Sequence, residues 1–435
     1  MNILLIGQCT LHWGRMEFGN IGNYYIMEPL VRELHRVFPD ALIKTTFQMS
    51  DRFCQDEKIQ VLPMEMYYGW REDDLDQALM ELASAEIFAK TGYLPKRTPY
   101  LDEVMKSDLV IDFSGDIWGD NANFLGDHRF LVGLCKDRSA QLLGKPTVML
   151  AGSPGPFADQ ETKEFAKEVY RNFALVTNRE PISIQLLKQD GFQTDNTRSL
   201  ACPAFLFEPL KGQALRDILE REGLSNQERP KVCYMICGWN FTSGPFDKPN
   251  RNDEEYVVFA QAVEYLSEEL GVDVYLMSHS NGFPVPPQEF KLIHGRDYVI
   301  IKQLQKVVVD RGIAKHVYAL DGVYDAWTTK GIIGTFDMVV SGRVHGAIAG
   351  LSQNVPTVLI DYGHAPKAHK IKGFAAVAGA EQYVADPSYA GDLITKIKSC
   401  WQNREQYRKH LEQRNKIVKE QVRANFDLLK EVMGQ

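Results

Sequence analysis

Residues 337–362 read DMVVSGRVHGAIAGLSQNVPTVLIDY. The apolar run Met338-Val339-Val340 is a buried strand that ends in a Ser341-Gly342 turn, and Arg343 and His345 follow, flanking Val344. A helix of small residues starts at Gly346, and a second apolar strand follows Pro356. That order brings a guanidinium, an imidazole and a helix N-terminus to the carboxyl edge of a parallel sheet, where open α/β sheets bind ligands. Arginine offers a planar fork for phosphate or carboxylate, helix N-termini favour anions, and imidazole moves protons near neutral pH. The combination points to an enzyme acting on a phosphorylated or carboxylated small molecule. The plainer alternative pairs Arg343 with a nearby aspartate and leaves His345 as a satisfied strand-end residue.

The same alternation runs outward through the chain. Strands are expected at 3–7, 43–47, 108–114, 146–152 and 174–178, with helices near 24–37, 73–90, 129–143 and 159–171 and another from Ser183. The charged segment 209–230 reads as a linker between a domain over 1–208 and a second over 231–400. In the second, strands are expected at 231–239, 272–279, 298–302 and 316–320, and helices at 253–270 and 325–334. Strands alternating with helices predict an α/β protein with parallel, doubly wound sheets. The tail, 401–435, reads as one long helix packing back on the body through Leu411, Val418, Val422, Phe426, Leu429 and Met433.

At 435 residues the chain is too long for one core, which agrees with two domains. A formal charge of −8 argues against nucleic acid as a partner, so an anionic substrate must be drawn by a local basic cluster. The seven cysteines, at 9, 54, 135, 202, 233, 237 and 400, lack metal-finger spacing and read as reduced thiols. MNILLIGQC is too short and too soon polar for a signal peptide, and no stretch approaches the ~20 apolar residues of a spanning helix. The expected location is the cytoplasm. The basic first two-thirds of the tail read as a solvated face, with peripheral attraction to anionic lipid at the inner face of the membrane as the alternative.

Four segments carry a resemblance: GNIGN at 19–23, DLVIDFSGDIWGDN at 108–121, TNREPISIQLLKQDGF at 177–192, and the long run from Lys330 to Phe374 around the opening stretch. In content and order the chain resembles the polysaccharide pyruvyl transferase family. Asn23 stands where that family usually has Asp, Asp116 where a third glycine is common, and Cys202 precedes Pro203 where Asp is frequent. The resemblance implies two Rossmann-like domains facing a cleft, as in glycosyltransferase-B folds. It also implies transfer of the pyruvate unit of phosphoenolpyruvate onto two hydroxyls of a sugar or lipid-linked oligosaccharide acceptor, as a cyclic ketal with release of phosphate. Phosphoenolpyruvate is then the donor substrate, and no cofactor or metal is expected.

Under that reading His345 is the acid that protonates the enol carbon, and Arg343 holds phosphate or carboxylate. Arg179, after the strand at 174–178, clamps the donor's other anionic end or forms a salt bridge with Glu180. Asp116 is the general base for the attacking hydroxyl, in a loop with Asp112 and Asp120, or these aspartates cap turns. Trp118 stacks on a sugar or fills core. His128 lies where the resemblance places a donor-binding histidine. His279 ends a strand and serves the cleft or caps a turn. Lys367 and Lys370 neutralise donor charge or lie on the surface, and the GNIGN turn, with Asn20, holds an anion on backbone amides. Two other readings compete: a sugar-nucleotide-dependent glycosyltransferase of the same fold, and a non-catalytic binding member of an envelope-polymer assembly.

Overall fold

Runs such as LLI, LVI and VMLA are apolar at every position, so they suit strands covered on both faces. In the computed structural model they form a seven-stranded parallel sheet: β1 Asn2–Ile6, β2 Leu42–Thr45, β3 Ile59–Val61, β4 Leu109–Asp112, β5 Thr147–Gly152, β6 Leu175–Asn178 and β7 Thr197–Ser199, in the order β3-β2-β1-β4-β5-β6-β7. All residues are described except 9–17, 19, 226–227, 245–247, 249–250, 286, 314, 365–368 and 435. A second sheet holds β8 Lys231–Met235, β9 Asp273–Leu276, β12 Val317–Ala319, β13 Met338–Ser341, β14 Thr357–Ile360 and β15 Val384–Ala385, while β10 Asn281–Gly282 and β11 Ile293–His294 form a small antiparallel pair. The second sheet is also parallel, in the order β12-β9-β8-β13-β14-β15. In each sheet the strand order reverses beside the first strand, between β1 and β4 and between β8 and β13, and that crevice is where such sheets bind ligands.

Two compact units result. One comprises residues 1–16, 28–202 and 420–435, the other 17–27 and 203–419. The segment expected as a linker, 209–230, falls inside the second unit and carries the helix Gly212–Arg221. The tail helix, Arg404–Val432, contributes to both, and Leu411, Val418, Val422, Phe426 and Leu429 are buried as their spacing demands. Its asparagines are used too: Asn415 donates to the carbonyl of Leu351 at 2.7 Å, and Asn425 to that of Ala201 at 3.0 Å. Among the described residues, no helix is long and apolar enough to cross a membrane.

One expectation fails. Residues 298–302, expected as a strand, lie in the helix Arg296–Asp310. The run Tyr298–Ile301 imitates a strand, but the buried positions are 297, 300, 301, 304, 307 and 308, a helical stripe, and Val299 is 64% exposed. The misread element matters, because its first turn supplies a partner to the site.

Candidate active site

In the second unit the chain leaves β13 through Ser341 and Gly342. Gly342 donates to the carbonyl of Met235 at the end of β8 (2.8 Å), and Arg343 then caps the helix Val344–Leu351. The turn is fastened by Asn240, which is fully buried and which the sequence reading overlooked. Its amide donates to the carbonyls of Gly342, Ile360 and Asp361 at 3.2–3.3 Å and accepts from the amide of Cys237 at 2.8 Å, tying together the ends of β8, β13 and β14. Gly342 has to be glycine, because a β-carbon there would meet the Asn240 side chain at 1.9 Å.

Arg343 does pair with an aspartate. Asp297, in the first turn of the misread helix, takes Nε at 2.8 Å and Nη2 at 2.5 Å, and Asp297 is fully buried. Burial works against the guanidinium's charge, and Asp297 more than restores it. Ser280 positions the partner by accepting the amide of Asp297 at 3.0 Å. The signal available in the sequence was Gly295-Arg296-Asp297 opening the stripe described above.

His345, half-buried on the first turn of its helix, lies against Gly22. A β-carbon on Gly22 would come within 2.4 Å of Nδ1, so the GNIGN turn and the Arg-x-His turn meet in the same unit. Asn20 opens the helix Ile21–Val37: its side-chain oxygen accepts from the Gly22 amide at 3.0 Å, and its carbonyl accepts from that of Asn23 at 2.8 Å. Two amides expected to hold an anion are therefore already bonded.

His279 is 1% exposed, too deep for a ligand to reach as expected. Burial, with the Arg343 charge beside it, pushes its pKa down to about 3, so it is neutral. Among the described residues neither ring nitrogen meets another residue's hydrogen-bonding group, which rules out the turn-capping reading there, and the ring stands edge-on to Tyr25 at 5.6 Å. Trp239, also overlooked, stacks on Tyr362 (5.3 Å) and on His364 (5.4 Å) beyond β14, with the Lys370 ammonium 5.4 Å from the Tyr362 ring. Lys367 lies outside the described residues.

In the first unit, Arg179 and Asp116 come together. The guanidinium reaches Asp116 at 3.1 Å and Ser153 at 2.9 Å and is almost wholly buried, while Glu180 instead caps the helix Ile182–Gln189 through the amides of Ile182 and Ser183. Asp120 serves the turns, accepting from the amide of Ala158. Two expectations are corrected by burial. Asp112 is completely enclosed; it accepts from the amide and hydroxyl of Ser114 at 3.0 and 2.9 Å, and desolvation pushes its pKa up to about 7. Trp118 is also 0% exposed, ringed by Phe130, Phe157, Tyr170 and Phe173, with its indole N–H on buried Asp137 at 3.2 Å. Neither side chain has a surface for a substrate. His128 is exposed and begins the helix Arg129–Leu142 in a left-handed conformation, φ 53°.

A sequence model of the polysaccharide pyruvyl transferase family matches residues 20–364, which span the Gly22 turn, Arg179, Arg343 and His345. The amylovoran biosynthesis protein AmsJ of Erwinia amylovora is 23% identical over 424 residues, 93% of each chain. Among solved structures, Anabaena Alr3699/HepE in complex with UDP aligns over the full length of both chains with a TM-score of 0.58 at 12% identity. A glycosyltransferase from Rickettsia africae gives 0.57 at 12%, over 99% of this chain and 98% of its own. UDP-GlcNAc 2-epimerase from Neisseria meningitidis gives 0.54 at 11%, over 100% and 99%. Identities this low establish the two-domain α/β architecture alone.

Proposed function

We propose, from the premise that the chain belongs to the polysaccharide pyruvyl transferase family, that its donor is phosphoenolpyruvate and its product a cyclic pyruvate ketal on a sugar. The coarser statement needs no proposal: this is an enzyme of that family, a transferase that modifies polysaccharide. The observation carrying the finer reading is the pairing, on one turn of the second unit, of an anchored guanidinium with an imidazole two residues on. Asp297 takes two of the five N–H donors of Arg343, so the outer end of the fork, Nη1 and the second hydrogen of Nη2, is the part that meets phosphate or carboxylate.

His345 gives a proton to carbon 3 of the enol phosphate, and the electron pair of the double bond forms the new C–H bond. The cationic carbon 2 is attacked by one sugar hydroxyl. Phosphate then leaves with the C–O bonding pair, a second hydroxyl closes the ketal, and of the two hydroxyl protons one reprotonates the imidazole while the other leaves with phosphate. The acceptor is a sugar or a lipid-linked oligosaccharide of a cell-surface polymer.

A second reading, a sugar-nucleotide-dependent glycosyltransferase, draws on the half-buried rings of Trp239 and His364, which stack with buried Tyr362 and would take a planar base. A thermal-shift titration separates the two. Protection by phosphoenolpyruvate that is lost in Arg343→Ala, with none from UDP, fits the first; protection by UDP alone would replace it with the second.

A further inference from the structure

We propose that the first unit contains a saccharide subsite, built on Trp70 and His128, which holds a sugar ring of the acceptor chain. The subsite rests on the reading above only in taking the bound chain to be the acceptor. A cavity of about 440 Å³ opens there, within the size range of small-molecule sites, and its walls include Tyr68, Trp70, Arg71, Glu72, Asp127 and His128.

The cavity is built rather than incidental. Trp70 and His128, both lining the cavity, have left-handed backbones (φ 54° and 53°), a conformation that a non-glycine residue keeps only where neighbours enforce it. The enforcing bonds are present. Asp74 accepts from the amides of Gly69 and Arg71 on either side of Trp70, at 3.0 and 2.8 Å. The indole N–H of Trp70 donates to the carbonyl of Leu125 at 2.7 Å, and the Tyr68 hydroxyl to that of Asp127 at 2.8 Å, stitching one wall to the other. Gly126 lies between them, where a β-carbon would reach the Tyr68 hydroxyl at 2.4 Å. Behind the rings, the buried Arg129 guanidinium sits 4.9 Å from Tyr68 and 4.8 Å from Trp70, fixing both.

The lining chemistry selects the ligand class. A half-buried indole offers an apolar face to the C–H face of a pyranose. Around it, the exposed Arg71, Glu72, Asp127 and His128 provide both donors and acceptors for hydroxyls. Their charges are mixed, which suits a neutral polyhydroxylated ring better than a nucleoside diphosphate, for which a basic cluster is needed.

Ligand-observed saturation-transfer NMR on the full chain tests this, with methyl glycosides of galactose, glucose and N-acetylmannosamine as probes and UDP as competitor. Asparagine tolerates the left-handed region, so Trp70→Asn removes the ring at little backbone cost, and exposed His128→Ala serves as the second variant. The expected result is transfer to the pyranose C–H protons of at least one glycoside. It should be reduced about tenfold in Trp70→Asn and clearly in His128→Ala, and be insensitive to UDP. No transfer to any glycoside, equal transfer in wild type and both variants, or displacement by UDP would overturn the subsite. Phosphoenolpyruvate protection is measured in parallel. Its absence from a protein that binds glycosides counts against the donor assignment alone, and its presence without glycoside binding counts against the subsite alone.

Discussion

Gly22 lies against the imidazole of His345, so close that a β-carbon at position 22 would sit 2.4 Å from Nδ1. These residues are more than three hundred positions apart, and each belongs to a different family segment. Their contact gives the GNIGN turn a second duty: beyond opening a helix, it leaves the space in which the imidazole stands.

Gly22→Ala exploits this. Position 22 is in the first turn of Ile21–Val37, where alanine is the better helix former by about 0.5–1 kcal/mol. The variant is expected to lose about 10²-fold in turnover, the cost of moving a catalytic group by about 1 Å, and to lose about 1–3 kcal/mol to overpacking against the imidazole, partly offset by the helix gain. Steady-state kinetics beside a thermal melt checks both halves, and unchanged turnover would remove His345 from proton transfer.

The Arg343–Asp297 pair predicts a different signature. Asp297→Ala leaves the inner side of a partly exposed guanidinium unpaired and is expected to cost about 1.5–3 kcal/mol in urea denaturation. Arg343→Lys keeps the charge but cannot take both carboxylate oxygens, so the KM for phosphoenolpyruvate should rise steeply. Wild-type KM in Arg343→Lys would show that the fork is structural only.

Two buried groups give opposite pH dependences. Asp112, raised to about 7 by desolvation, binds a proton in the folded state that an unfolded aspartate releases near pH 3.9. Its contribution is complete below about pH 3.9 and is lost as pH rises through about 7. His279, lowered to about 3, runs the other way: its contribution is present above about pH 6.5 and is lost as pH falls through about 3. Urea denaturation between pH 4 and 8 should therefore show Asp112→Asn reducing the loss of stability toward neutral pH that it shares with buried Asp137, and His279→Gln removing a loss toward acid. Wild-type pH slopes in both variants would contradict the burial argument.

Trp118→Ala should behave as a core mutation. About 3–5 kcal/mol of stability is expected to disappear, because the ring is ringed by aromatics and its N–H satisfies buried Asp137. A loss below 1 kcal/mol, accompanied by weaker saccharide binding, would restore the sugar-stacking role.

Much of this was legible in the sequence. Continuous apolar runs gave the central strands of both sheets, because strands covered on two faces need them. The Arg-x-His turn was legible for a similar reason: it directly follows such a strand. What stayed hidden was tertiary. Asp297 was lost because Tyr298–Ile301 imitates a strand, and Asn240 because a lone asparagine gives no sign of the three carbonyls it meets. Asp112 and Trp118 looked accessible because they border a glycine-rich loop, and only the packing of Phe130 and Tyr170 shows the ring enclosed.

The proposed reaction requires the Arg343–His345 turn to move pyruvate from phosphoenolpyruvate to a sugar. Its most direct test is incubation of wild type and the Arg343→Ala/His345→Ala double variant with phosphoenolpyruvate and galactosyl or mannosaminyl oligosaccharides, following released phosphate and acceptor mass. One phosphate per modified acceptor is expected, with each acceptor heavier by one pyruvate less one water, and no transfer by the double variant. Undiminished transfer by that variant, or acceptor modification only when a sugar nucleotide replaces phosphoenolpyruvate, would contradict it.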